Sequence, residues 1–319
     1  MGKSADQNSK SNSQPNPLHQ RRAILQGGAL LLTPNFWLPM DSKSSANCTT
    51  IGEMDSEDFK ASIQIGMVTD LHYADKPSAG SRHYRDTLGK LSAASREFSH
   101  KSLDLIVELG DFIDAADSVA EELKYLKRIN RDFSSISTKR HYVLGNHCVH
   151  TLKKQEFLDT VEQKKSFYSF DEGGIHFVVL DSCFRSDGKP YERKNFMWTD
   201  PNIPEFEMEW LQEDLVQNTL PVVVFAHQRL DRKTNYSVKN SEQIRAILEK
   251  FNRVVAVFQG HSHQNDYQLI NKIHYCTLVA MVEGPQQTNN AFSKLKVAEN
   301  GSILVEGFFQ QKNHNWRQN

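Results

Sequence analysis

Residues 62–72 read Ser62-Ile63-Gln64-Ile65-Gly66-Met67-Val68-Thr69-Asp70-Leu71-His72. The apolar run ending at Val68 has the length and composition of a buried strand. Just beyond it stand a carboxylate and an imidazole two positions apart. In extended backbone such positions share a face, so Asp70 and His72 can converge on one site. Ligand groups placed past a strand point to an α/β sheet, whose ligand crevices form beyond the C-terminal strand ends.

The arrangement recurs down the chain. The run 103–109 leads to Gly110-Asp111-Phe112-Ile113-Asp114, and His141-Tyr142-Val143-Leu144 leads to Gly145-Asn146-His147. Pro221-Val222-Val223-Val224-Phe225 is followed by His227, and Val254-Val255-Ala256-Val257-Phe258 by Gly260-His261-Ser262-His263. A further strand is expected over 175–180, with helical patterns over 121–133, 205–216 and 241–251. This alternation predicts βαβ units and a largely buried sheet. The stretches 267–282 and 291–309 read instead as antiparallel strands, with Glu299-Asn300-Gly301-Ser302 as a hairpin turn. Glycines 110, 145 and 260 permit close backbone approach at the strand ends. A mixed set of carboxylate, imidazole and amide ligands suits Zn²⁺, Mn²⁺ or Fe better than Ca²⁺ or Mg²⁺.

Any one of these groups alone would read as a cap, a turn residue or a core histidine. Five blocks in order reverse that reading. They resemble the signature of the calcineurin-like metallophosphoesterase superfamily: D-x-H, G-D-x-x-D, G-N-H-[DE], H and G-H-x-H. The resemblance covers residues 62 to about 310. It implies an α/β fold, a four-layer α/β/β/α sandwich of two mixed β-sheets. It also implies two metal ions, of Mn²⁺, Fe or Zn²⁺, and a hydrolase of phosphoric esters or anhydrides. Position by position, Asp70, His72 and His263 would hold the first ion. Asn146, His227 and His261 would hold the second, and Asp111 would bridge both. His147 would be the catalytic side chain beside the phosphate, oriented by Asp114. Cys148 departs from the pattern, which has Asp or Glu there, and leaves open how His147 is supported.

Elementary electrostatics agrees with that chemistry. Two divalent ions bring about +4, Asp70 and Asp111 return about −2, and a bridging hydroxide leaves about +1, attractive to phosphate. Ions roughly 3.5–4 Å apart can generate such a hydroxide at neutral pH and stabilise an in-line displacement at phosphorus. His147 would then donate a proton to the leaving oxygen.

A narrower branch also shows. Tyr73-Ala74-Asp75, Tyr84-Arg85-Asp86-Thr87-Leu88 and Glu283-Gly284 are similar to the manganese-dependent ADP-ribose/CDP-alcohol diphosphatases, although His72 stands where that branch often has Gln. This suggests nucleotide-like phosphodiester or diphosphate substrates. Arg82, Tyr84 and Arg85 are candidates for a second phosphate. Tyr191, Phe196 and Trp198 lie among cations in the irregular 184–204 segment and are candidates for stacking a base. The alternative is an exported, broad-specificity phosphomonoesterase of alkaline-phosphatase type. A scaffold that has lost catalysis would need a broken ligand set, and none is broken.

The first 60 residues differ in character. Residues 1–20 are rich in Ser, Asn, Gln and Lys, and Arg21-Arg22 precedes a moderately apolar, glycine-containing stretch. That reads as a twin-arginine export signal, with the Tat machinery as partner and a periplasmic or secreted destination; a cytoplasmic tail is the alternative. The expected organisation is a disordered and signal segment over 1–46, a linker over 47–60, one catalytic domain over 61–312 and a tail over 313–319. Prolines 34 and 39 cut the apolar stretch below a stable membrane span. Across 319 residues, 38 basic and 39 acidic side chains give a net charge of −1, so no nucleic-acid polymer is expected as a partner. Four cysteines without a C-x-x-C spacing build neither a disulfide scaffold nor a zinc knuckle. The unusual count is 13 histidines, of which five fall in the blocks above.

Overall fold

Ile63, Ile65 and Met67 in the first strand, β1 (Ile63–Val68), point to one apolar cluster while Val68 joins another. A strand buried on both faces needs cover on both, and the fold supplies it twice. The computed structural model describes residues 59–100, 102–285 and 289–318, all within one compact unit, Met54–Asn319. The twin-arginine segment and most of the linker lie outside the described residues.

Two six-stranded mixed sheets face each other. The first carries β1 beside β2 (Leu105–Glu108) and β3 (Arg140–Tyr142), all parallel. On the other side of β1 it continues antiparallel through β10 (Ala291–Val297), β11 (Ile303–Phe309) and β12 (His314–Trp316). The second sheet has a parallel centre of β5 (Ile175–Val179), β6 (Val222–Phe225), β7 (Val254–Gln259) and β9 (Ile273–Thr277). Its edges, β4 (Tyr168–Glu172) and β8 (Asp266–Ile270), run antiparallel.

Between the sheets lie Ile65, Val107, Phe177, Phe225, Phe258 and Leu295, among others. Helices α1 (Thr87–Ser99), α2 (Val119–Ser134) and α3 (Lys154–Val161) cover the outer face of the first sheet through Leu91, Phe98, Ile129, Phe133 and Phe157. Helices α4 (Glu205–Gln217) and α5 (Ser241–Leu248) cover the second through Leu211, Leu215 and Ile244. The result is the four-layer sandwich. Within it α2 starts where Ser118 accepts the Glu121 N–H at 3.2 Å, with Glu121 and Glu122 in its first turn. Among the described residues no helix is long and apolar enough to cross a membrane.

Three local features differ from or go beyond the sequence reading. Strand β4 escapes the sequence pattern because Tyr-Ser-Phe-Asp-Glu is a half-exposed edge strand without a continuous apolar run. The stretch 267–282 splits into β8 and β9 and leaves the sheet at Thr277, so that 278–282 crosses to the ligand end of β1. Residues 313–319 are more than a tail: β12 completes the first sheet and buries Trp316.

Candidate metal centre

All five blocks follow strands of the parallel runs, so their side chains gather at one edge of the sandwich. Asp70 and His72 follow β1, Asp111 and Asp114 follow β2, and Asn146 and His147 follow β3. The second sheet contributes His227 after β6 and His261 with His263 after β7.

The convergence of Asp70 with His72, and of His261 with His263, does not come from extended backbone. Asp70 (φ 50°), His72 (φ 43°), Asp111 (φ 56°), His261 (φ 67°) and His263 (φ 61°) are all left-handed. Each such residue costs about 1–3 kcal/mol and persists only where its surroundings over-determine it. Here the main chain does so. Asp70 N donates to Gly110 O at 2.9 Å, His72 N to Asp111 O at 2.8 Å and Val282 N to Asp70 O at 3.1 Å. Gly110 is also left-handed, at φ 102°, and a Cβ there would collide with the His227 ring.

The candidate ligand atoms fall into three groups: Asp70 with His72 and His263, Asp111 with His227 and His261, and His72 with Asp114 and His147; the first two adjoin. Asp70 Oδ1 lies 3.3 Å from His263 Nε2 and 3.7 Å from His72 Nε2, while the two imidazole nitrogens are 3.2 Å apart. Asp111 Oδ2 lies 3.1 Å from His227 Nε2 and 3.5 Å from His72 Nε2, between the groups. His261 completes the second group, with ligand atoms within 4.8 Å of one another. Asp70, His72, Asp111, Asn146, His227 and His261 are all buried.

Hydrogen bonds on the far sides fix which atoms face inward. His227 Nδ1 donates to Leu109 O at 2.9 Å, and His263 Nδ1 to Glu283 Oε1 at 2.6 Å, so each ring turns its Nε2 toward the clustered carboxylates. Thr69 Oγ1 and His261 N donate to Asp70 Oδ2 at 2.7 and 3.0 Å. Asp70 Oδ1, Asn146 Oδ1, His227 Nε2 and His261 Nε2 are buried with no hydrogen-bond partner. Unpartnered polar atoms gathered in one buried place are costly unless a bound ion takes them. The donor set therefore fits two metal ions.

Electrostatics is polarised accordingly. Burial pushes the Asp70 carboxyl up, but His263 and His227 outweigh it and hold it well below the usual carboxylate range. Asp111 is depressed in the same way by His227 and His147. Burial lowers His227, yet Asp111 and Asp70 bring it up to about 9. His263 also rises to about 9 against burial, through Asp70 and Glu283. His261, buried beside His227, falls to about 3 and stays neutral.

His147 is tied back through Nδ1 to Asp114 Oδ1. The other Asp114 oxygen meets Lys76 Nζ at 2.5 Å, a residue that no motif had pointed to. Against burial, the His147 and His72 hydrogen bonds keep Asp114 far below the usual carboxylate range. Cys148 is buried, and its sulfur accepts the Phe112 N–H at 3.4 Å. It thus packs behind the site, its thiol pushed well above its ordinary range by burial.

A cavity of about 280 Å³ opens over the centre, lined by Arg82, Asp111, Asn146, His147, Trp198, Tyr236, His261 and His263. A second, of about 420 Å³, adjoins it and shares Arg82, Tyr236, His261 and His263. A larger one, of about 630 Å³ around Arg140, Gln163 and Tyr168, shares no residue with either and holds none of these ligand groups. Of the substrate candidates, the structure brings Arg82 and Trp198 to the centre. Tyr84 is buried under Lys76 Nζ, 4.3 Å from its ring, and Arg85 pairs with Asp75 at 2.6 Å. Tyr191 and Phe196 stack on each other at 3.8 Å between centroids, with Tyr191 fully buried. They shape the segment from inside rather than line the cavity. Tyr236, which sequence reasoning missed, sits with Trp198 at 5.6 Å between centroids, and both rings contact His261.

Comparison with known proteins follows the same line. A family model described as calcineurin-like phosphoesterase matches residues 63–265. The manganese-dependent ADP-ribose/CDP-alcohol diphosphatase of Arabidopsis thaliana is 23% identical over 291 residues, 76% of this chain and 93% of its own length. A 3',5'-cyclic-nucleotide phosphodiesterase of Nostoc sp. is 24% identical over 224 residues, 68% of this chain and 77% of its own. The solved structure of a dimetal phosphatase from Danio rerio shares the fold, with a TM-score of 0.72 at 18% identity, covering 81% of this chain and 100% of that one.

Proposed function

This chain belongs to the calcineurin-like phosphoesterase family, whose members are hydrolases, and from that premise we propose that it cleaves nucleotide-like diphosphates or phosphodiesters at a dinuclear metal centre. Asp70, His72 and His263 would hold one ion, Asn146, His227 and His261 the other, with Asp111 between them. Bound there, the two ions would supply Lewis acidity at phosphorus and activate the attacking water.

The protein's own groups do the rest. Asp114 holds His147 by Nδ1, so Nε2 is left to face the cavity and to protonate the leaving oxygen. Lys76 on the far oxygen of Asp114 holds that carboxylate in place. Burial of Asp70 and Asp111 excludes bulk water from the ligand oxygens.

The observation that carries the substrate reading is the grouping of Trp198, Tyr236 and Arg82 at the mouth. Trp198 is 42% and Tyr236 43% exposed, and both rings line the cavity over the centre. They offer flat faces for a base, and Arg82, between the two cavities, offers a fork for a second phosphate. The diphosphatase and phosphodiesterase names of its relatives support the same class. Metal-reconstituted rates on ADP-ribose, bis-p-nitrophenyl phosphate and p-nitrophenyl phosphate test it. The reading expects kcat/KM to be highest on ADP-ribose or the diester. Highest kcat/KM on the monoester would replace it with the phosphomonoesterase reading.

A further inference from the structure

Lys90 stands in the first turn of α1 and is fully buried. Its Nζ reaches three main-chain carbonyls, those of Met281, Glu283 and Gly284, each at 2.8 Å. An ammonium has three protons and no acceptor, so all three donors are used on one turn of chain. A helix needs no such cation to pack, and burying one is expensive unless every proton is placed. A methionine would fill the volume without that cost.

What the lysine holds is the crossing segment after β9. Met281 N and Val282 N donate to Thr69 O and Asp70 O at 3.0 and 3.1 Å, and Gly284 N to Ser81 O at 2.8 Å. At the head of the turn stands Glu283, whose carboxylate takes the His263 Nδ1–H at 2.6 Å. Gly284 turns the chain at φ 69°, where a side chain would be strained. A continuous path therefore runs from α1 to His263: ammonium, three carbonyls, Glu283, imidazole.

We infer that Lys90 is a positioning residue of the metal centre, acting through Glu283 to set the tautomer and angle at which His263 presents Nε2. The inference rests on the metal-centre reading above. It concerns one of the two ligand groups only, because His263 sits with Asp70 and His72 and not with Asp111, His227 and His261.

The test is stepwise Mn²⁺ affinity of the metal-stripped full chain by calorimetry, with electron paramagnetic resonance to distinguish single ions from coupled pairs. Wild type is expected to bind two ions. Glu283→Gln and Lys90→Met should each weaken one ion by about 10–100-fold and leave the other unchanged. The double variant should be no weaker than the worse single one, since both act along one path. If Lys90→Met does not fold, Lys90→Arg replaces it; a guanidinium cannot place one nitrogen on three carbonyls, and the same selective loss is expected. Lysine variants that lower thermal stability yet bind both ions as wild type does would overturn the inference. So would equal weakening of both ions. Wild type binding no pair of ions would instead remove the metal reading itself.

Discussion

The main-chain N–H of His147 donates to Oδ1 of Asp111 at 2.7 Å, so one oxygen of that carboxylate is pinned and only Oδ2 faces the histidines of both ligand groups. The turn after β3 and the turn after β2 are thereby locked together at the point where the chemistry is proposed. Because the bond uses His147's backbone, the side chain can be removed without releasing Asp111. His147→Ala should keep its metal content and melting temperature while kcat falls about 10²–10⁴-fold. Asp111→Asn should fold and lose most turnover together with metal. Wild-type rates with metals bound, in either variant, would contradict these roles.

Close packing around the same carboxylate makes Gly145 a sensitive position. A Cβ there would overlap the Asp111 side chain and backbone nitrogen, and neither can retreat without moving the centre. Gly145→Ala should cost about 1–3 kcal/mol in chemical denaturation and lose turnover beyond what instability explains. Gly89 in α1 is the contrast, since a Cβ there meets open space. Gly89→Ala should gain about 0.5–1 kcal/mol and leave kcat unchanged.

At the cavity mouth, aromatic truncation should separate binding of the leaving group from the chemical step. Trp198→Ala and Tyr236→Ala should each raise KM for a nucleotide substrate by about 10-fold, given 1–3 kcal/mol per stacked base. The same variants should leave p-nitrophenyl phosphate hydrolysis nearly unchanged. Equal losses on both substrates would assign these rings to the fold instead.

A pH effect on stability is expected far from the metal edge. His176 in β5 bonds Asp171 at 2.6 Å through Nδ1 and Asp214 at 2.8 Å through Nε2. Burial lowers its pKa, but the two carboxylates outweigh burial and raise it above the ordinary 6.5. The folded chain thus holds this proton more tightly than the unfolded one. The contribution is complete below about pH 6.5 and fades as pH rises through the raised folded value. Urea unfolding of wild type against His176→Gln should show a stability gap at pH 6 that narrows at alkaline pH. A gap that widened with pH would reverse the assignment.

The ligand groups were legible because each follows its strand within a few residues, where local spacing reports the site directly. Asp70-x-His72 and His261-x-His263 are visible as text, although their convergence depends on left-handed turns rather than on the extended geometry the spacing suggests. Tyr236, Lys76 and Lys90 were not legible, because each meets the centre only through the tertiary fold. Tyr236 follows a polar run, Arg232-Lys233-Thr234-Asn235, that reads as any exposed loop. Lys90 lies in a helix whose apolar pattern gives no reason to expect a buried cation. Glu283 was visible as a motif residue, but its bond to His263 was not. The aromatic and basic 184–204 segment offered three stacking candidates beside the reading of a packed surface loop, and only Trp198 of the three reaches the cavity.

The central claim is that these clustered side chains form a two-metal hydrolytic centre. Metal analysis of the purified chain, paired with its phosphodiesterase rate before and after chelation, tests it most directly. The account expects close to two transition-metal ions per chain, loss of activity on chelation, and recovery when about two equivalents of Mn²⁺, Fe or Zn²⁺ are returned. An active chain holding no metal, or activity untouched by complete chelation, would contradict it.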